Sequence, residues 1–234
     1  MRFTLQPSYV LHGRPYRESS LLLEVLTRDQ GRVGLVARGA RGARSRWKSL
    51  LQPFRPLLLS WSQKGELGTL TEADQVASPP PLMGECLFCG LYANELLMRF
   101  LHRSDSHPEL FDDYQQLLAF LAGDDAPQPL LRIFEKRLLQ AAGFGIQLDH
   151  EHGSQEPLDP DAWYVYLPGS GPVRRQAGQS GETRLISGEA LLALKSEQIE
   201  DRHLKELKHL MRRLIRHQLG DKPIASQSLF LDRP

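Results

Sequence analysis

The sequence has little cysteine. Cys86 and Cys89 are the two in 234 residues, too few to staple a fold of this size. That excludes a disulfide-built scaffold and fits a reducing compartment. Long hydrophobic runs are missing too: no stretch approaches the roughly 20 uninterrupted apolar residues of a membrane span. The opening MRFTLQPSYVLHGR lacks an apolar core with a small-residue cleavage site, so no secretory leader is expected. A cytoplasmic protein with no membrane partner is the expectation. Catalytic signatures are likewise lacking. There is no nucleophile elbow, no HExxH helix and no kinase set. Gly39-Ala40-Arg41-Gly42 lacks the strand, lysine and helix of a phosphate-cradling loop. The chain is therefore expected not to be an enzyme and to use no cofactor. At 41% hydrophobic and 24% charged residues, the composition is that of a globular rather than a disordered chain.

Net charge is almost absent, at +1, but the sum conceals segregation. Residues 1–80 carry 12 Lys and Arg against 6 Asp and Glu, a net of +6. Residues 81–150 and 151–201 each net −5, and residues 202–234 net +5. Two basic ends around an acidic middle suggest a polyanion partner for the ends.

Residues 1–79 read as a domain of short strands. Residues 20–37 form a hairpin turned at Asp29-Gln30-Gly31. A strand is expected from Phe54 to Trp61 and a last one at Thr69–Thr71. Such spacing suggests a small barrel. Ser78-Pro79-Pro80-Pro81 ends the strand pattern and marks a domain boundary. Residues 80–234 form an α-helical domain, so the class is α+β and multi-domain. Helical spacing appears over 83–102, 108–122 and 128–142, from Ser187 to about Lys195, and over 201–219. Residues 149–183, rich in Gly and Pro, read as a loop-rich insertion with one short hairpin, and residues 221–234 as a partly ordered tail.

The strongest local signal is the stretch Arg38–Lys48, with Arg38, Arg41, Arg44, Arg46 and Lys48 and no acid. Its glycines allow close backbone approach, arginine forks match phosphate oxygens, and Trp47 offers a stacking face. A solvated loop with Trp47 tucked into the core is the plain alternative. The second signal is the 201–219 helix. Lys205, Lys208, Arg212 and Arg216 share one face while Leu204, Leu207, Met211 and Leu214 line another. An ordinary amphipathic surface is the alternative there. Cys86-x-x-Cys89 reads as two core thiols, because no second pair completes a metal site. His150 and His152, beside Asp149 and Glu151, read as surface histidines. No metal ligand is assigned.

With these residues the chain resembles the RecO family of bacterial DNA repair and recombination-mediator proteins. The resemblance rests on Val10-Leu11-His12 with Arg14-Pro15-Tyr16-Arg17-Glu18-Ser19-Ser20, Ala37-Arg38-Gly39-Ala40-Arg41 and Leu51-Gln52-Pro53-Phe54. It continues in Gly90-Leu91-Tyr92-x-Asn94-Glu95-Leu96-Leu97, Leu131-Arg132-x-Phe134-Glu135 and Gly143-Phe144. It implies an N-terminal OB-fold barrel, a helical domain and a C-terminal helix packed on it. It implies single- and double-stranded DNA as partners and annealing of complementary strands. It further implies cooperation with RecR in the RecF pathway, and loading of RecA onto DNA coated with single-stranded-DNA-binding protein. A nucleoid-associated location follows. The expected DNA-binding set is Arg14, Arg38, Arg41, Arg44, Arg46, Trp47, Lys48, Lys205, Lys208, Arg212 and Arg216. Arg132 is the candidate for the acidic tail of the single-stranded-DNA-binding protein, with pairing to Glu135 as its alternative. Many family members carry four zinc-binding cysteines in the insertion. Here His150 stands where the first would fall and no later cysteine pair follows. The expectation is a degenerate zinc-finger region without zinc, its hairpin held by packing of Trp163, Tyr164 and Tyr166. An adaptor that docks acidic protein tails and touches DNA little is the competing reading.

Overall fold

The computed structural model describes residues 1–123, 127–175, 185–220 and 222–226. Five strands open the chain: β1 (Arg2–Tyr16), β2 (Ser20–Thr27), β3 (Gly31–Ala37), β4 (Leu57–Gln63) and β5 (Leu67–Gln75), with a single-turn helix α1 (Trp47–Leu50) between β3 and β4. They close into a barrel of order β1-β2-β3-β5-β4. Pairing is antiparallel except between β3 and β5. The long β1 closes the barrel because it pairs with β2 along its second half and with β4 along its first. It can change partners by bending. Its register shifts between Phe3 and Gln6, where Leu5 adopts φ +48° and donates its N–H to Ser60 Oγ at 3.0 Å. Strand alternation fills the interior with Leu23, Val25, Val33, Leu35, Leu59 and Trp61, all buried. Burying side chains of this size contributes about 1.5–3 kcal/mol each. The hairpin falls where the sequence places it. The strand expected at Thr69–Thr71 is a nine-residue β5.

Helices α2 (Gly84–Phe100) and α3 (Pro108–Leu121) follow. α3 opens with Pro108 in its first turn, where the missing N–H costs nothing. Both helices cover the outside of the barrel. Tyr9, on β1, meets Phe111 and Tyr114 with ring centroids 5.5 and 5.3 Å away. Asn94 Nδ2 donates to Leu11 O at 2.9 Å, and Tyr114 OH donates to Asn94 Oδ1 at 2.5 Å. Asn94 and Tyr114 are buried, so these bonds satisfy polar groups that burial would otherwise penalise by about 1–3 kcal/mol. The two helices and the barrel thus belong to one compact unit, Met1–Asp125, which also takes in Ile224, Ala225 and Ser226. There Glu95 accepts from Ala225 N, Ser226 N and Ser226 Oγ at 2.7–2.9 Å. The proline stretch ends the barrel, while the division into compact units falls at 125/126. Cys89 is buried and Cys86 half-buried, and neither is in a disulfide.

The second unit, Ala126–Pro223, holds α4 (Gln128–Ala141), β6 (Trp163–Leu167), β7 (Gly171–Arg174), β8 (Leu185–Ser187), α5 (Gly188–Ser196) and α6 (Asp201–Leu219). Its strands form a three-stranded antiparallel sheet of order β7-β6-β8, one strand more than the hairpin expected. Tyr164 and Tyr166 point inward and are buried, whereas Trp163 alternates outward and is 48% exposed. Trp163 therefore does not help to hold the insertion, contrary to the sequence expectation. Ser187 caps α5 by accepting from Ala190 N at 3.2 Å. Residues 176–183 of the insertion, Arg184, and Asp221 and residues 227–234 of the expected tail lie outside the described residues.

Candidate nucleic-acid interface

At one end of the barrel, the β1–β2 turn and the β3–α1 loop are fastened together. Arg41 makes the joint. Its backbone N–H donates to Ser19 O at 2.9 Å, and its Nη1 donates to Arg17 O and Glu18 O at 3.3 and 3.1 Å. The loop itself is a series of tight turns: Gly42 N bonds Gly39 O, Ser45 N bonds Gly42 O, and Lys48 N bonds Ser45 O, at 3.0–3.3 Å. Gly39 adopts φ +68°, the left-handed region that glycine enters at no steric cost. Buried Ala40 and Leu51 anchor the loop to the core, and the basic side chains between them face outward. Arg14, Arg38, Arg41, Arg44, Arg46 and Lys48 are all exposed. None of them has an ion-pair partner among the described residues.

Two aromatic residues at this end differ from the sequence reading. Trp47 is half-buried and packs against the barrel core, and the Arg46 guanidinium lies 4.5 Å from its ring centroid. Its ring is committed on both counts, so Trp47 is not an open stacking platform. Tyr16 and Arg17 belong to the same surface, although the sequence reading assigns them no role. Arg17 sits 5.2 Å over the Tyr16 ring and holds φ +53°, a strained conformation for a non-glycine residue. Only the fold reveals that this turn meets the basic loop.

The second basic surface is on α6, in the other unit. His203, Leu207, Leu210, Met211, Leu214 and Ile215 form the buried stripe. Lys205 and Arg216 are exposed, and Lys208 and Arg212 are half-buried. Arg213 turns inward and donates to Tyr166 O at 2.7 Å. The four-residue basic ridge is thus present on one helix face, with its inner members partly shielded.

Arg132 lies on α4 and is buried, with Nη1 2.8 Å from Glu135 Oε2. Its sequence alternative is therefore realised: Arg132 is paired with the local acid. The contact falls short of hydrogen-bond alignment, and Nε of Arg132 has no hydrogen-bond acceptor.

The described residues of the insertion do not fit a zinc ion. Among the described residues no three His, Cys, Asp or Glu side chains cluster. His150 and His152 are exposed, and Asp149 pairs with Lys195 at 2.8 Å. Glu151 is buried and its oxygens are already engaged: Tyr164 OH, Arg174 Nε and Ser154 Oγ donate to it at 3.0, 2.8 and 3.1 Å. Burial alone would raise this carboxyl. The hydrogen bonds from Arg174, Tyr164 and Ser154 outweigh that and hold it below the usual carboxylate range. A guanidinium, permanently cationic, stands where a metal would need electron pairs.

The strand order and the helix between β3 and β4 define an OB-type barrel protein, here with a basic barrel end. Residues 1–79 match the family described as Recombination protein O N terminal, and residues 84–228 match Recombination protein O C terminal. The chain is 44% identical to the DNA repair protein RecO of Dechloromonas aromatica (strain RCB) over 229 residues, covering 96% of this chain and 94% of the relative. Identity to the DNA repair protein RecO of Nitrosococcus oceani is 46% over 230 residues, covering 98% and 93%. To that of Coxiella burnetii (strain RSA 331 / Henzerling II) it is 42%, covering 97% and 98%. The chain belongs to the RecO family of DNA repair proteins. No helix of the described residues is long and apolar enough to cross a membrane.

Proposed function

We propose that this chain is a non-catalytic DNA-binding recombination mediator. It binds single- and double-stranded DNA, anneals complementary strands and, with RecR, helps load RecA onto DNA coated with single-stranded-DNA-binding protein. The observation that carries this reading is the group of unpaired cations at the barrel end, fixed by Arg41. Cations held without acidic partners are available to phosphates, and each phosphate neutralised releases counterions. Two strands gathered on such a surface repel each other less, and base pairing then selects the product. Neither step needs a bond to be broken or a cofactor to be bound. Lys205, Arg212 and Arg216 on α6 add further positive charge. The protein-facing half of the proposal turns on Arg132: its Nη1 is paired with Glu135, and its buried Nε, with no acceptor, is the donor left for a carboxylate of an acidic tail. That observation also favours the adaptor reading, in which acidic tails dock and DNA is touched little.

A strand-annealing and single-strand binding assay, titrated in salt, separates the two. Replacing Arg38, Arg41 and Arg44 with alanine should remove up to three phosphate contacts, lowering the slope of log affinity against log salt by about 2. Unchanged single-strand affinity and slope, with loss of partner binding, would leave the adaptor reading in place.

A further inference from the structure

OB barrels usually take oligonucleotides on the outer face of β2 and β3 and on the adjoining loops. In this chain that face is covered. Leu22 and Leu26 on β2 point away from the barrel core and are still buried, at 6% and 2% exposure. Segment 101–107, which joins α2 to α3, straps the β3 side. Arg32 on β3 donates from Nε to Leu101 O at 3.0 Å and from Nη1 to Glu24 Oε2 at 2.7 Å. Ser104 N returns a bond to Arg32 O at 2.9 Å, and Arg103 Nη2 closes on the other oxygen of Glu24. Beyond the strap, Arg28 forks onto Asp112 at 3.0 and 2.8 Å. The strands make room for this crossing with glycine. A Cβ on Gly31 would sit 1.9 Å from Asp105 O, and one on Gly34 would press on Leu67 and the Arg103 guanidinium.

We propose that single-stranded DNA is led across the end of the barrel, over Arg14, the β1–β2 turn and the β3–α1 loop, and not along the outer face of β2 and β3. The inference rests on the DNA-binding reading above and assigns its path. Charge favours the same choice. On the strapped face a phosphate would have to displace Glu24 from Arg32 and Arg103. At the barrel end it meets cations with no carboxylate to displace.

Photo-crosslinking tests the path in the full-length chain with labelled oligothymidylate as probe. A benzophenone side chain is placed at Tyr16 or Ser45 for the barrel end, and at Val36 or His102 for the outer face. Adduct yields severalfold higher at Tyr16 and Ser45 are expected. Yields concentrated at Val36 and His102, with binding intact, overturn the path while DNA binding stands. If the unsubstituted chain does not bind the probe, the DNA-binding reading itself falls and the path with it. As an independent arm, Arg103→Ala should leave single-strand affinity within about twofold, because a contact remote from the path adds independently and little. A rise of an order of magnitude would mean that the strap shuts a competent groove, and overturns the proposal.

Discussion

Two sides of one barrel carry arginines in opposite states. On the strapped side, Arg28, Arg32 and Arg103 each face a carboxylate from another part of the unit, and together they fasten the helices to the strands. At the barrel end, Arg14, Arg38, Arg44 and Lys48 face water and meet no acid among the described residues. Composition cannot tell these groups apart, since Arg28 and Arg32 add to the same +6 of residues 1–80 as the barrel-end cations. The difference is in where the acids are. Glu24 and Asp112 are spent on the strapped side, and the loop Arg38–Lys48 contains none. A paired arginine contributes to stability and an unpaired one to the field felt by a polyanion. Changes to the first kind should move the melting curve, and changes to the second should move the salt dependence of binding.

The comparison breaks most visibly at Gly31→Ala. Gly31 sits at φ +63° with Asp105 O where the Cβ would go. An alanine there must shift the strap's backbone and also adopt an unfavourable φ. A loss of about 3–4 kcal/mol is expected, the range of severe single substitutions, or roughly 6–16 °C in Tm for a chain of this length. Thermal unfolding followed by circular dichroism measures it. A variant that melts like the parent means that the strap contributes little to stability. The asymmetry between the two sides would then be only apparent.

Much of the fold was legible in the residues, and the parts that were not share a cause. Helices α2 to α6 fall within one or two residues of their periodic patterns, because apolar spacing and flanking Pro, Ser and Gly are local signals. β1 is less legible: Pro7, Gly13 and Pro15 interrupt its alternation, and it exists because two different strands pair with it. The basic loop was legible as charge. Its junction with Tyr16 and Arg17 was not, since Arg41 reaches back 24 residues to make it. Trp47 and Trp163 invert their expected roles for a similar reason. Which face of a ring is covered is set by tertiary packing, which composition does not encode. Glu151 looked like part of a surface Asp-His-Glu-His run, and only the return of β7 brings Arg174 to it.

Glu151 extends the comparison to the second unit, as a paired centre. Glu151→Gln keeps the shape and removes the charge that Arg174 and Tyr164 address. At pH 7 a loss of about 1–3 kcal/mol is expected for the damaged hydrogen-bonded carboxylate. The pH dependence gives the sign. The folded carboxyl titrates below its unfolded value, so its contribution is fully present above the unfolded value near 4.3 and fades as pH falls through the folded one. The gap between parent and variant should therefore narrow below about pH 4. A gap that is constant from pH 7 to pH 3 would mean that shape rather than charge holds this centre. Adding a chelator should leave both melting curves unchanged, since among the described residues no donor set for a metal is found.

The smallest effect belongs to the barrel end and runs the other way. Arg17 holds a left-handed φ of +53° at the tip of the β1–β2 turn. Its backbone carbonyl accepts from Arg41, which fixes the turn in that shape. Glycine adopts this φ without strain, so Arg17→Gly should relieve about 1 kcal/mol. The greater freedom of glycine in the unfolded chain returns a similar amount. The net change in stability should stay within about 0.5 kcal/mol, as for most exposed positions. Binding should respond differently. One cation is removed from the proposed path, and the slope of log affinity against log salt should fall by about 0.7 for single-stranded DNA. If instead the melting curve drops by several degrees while the salt slope is unmoved, Arg17 is a structural arginine of the strapped kind. The division of this barrel into a fastened side and an open end would then have to be redrawn at the β1–β2 turn.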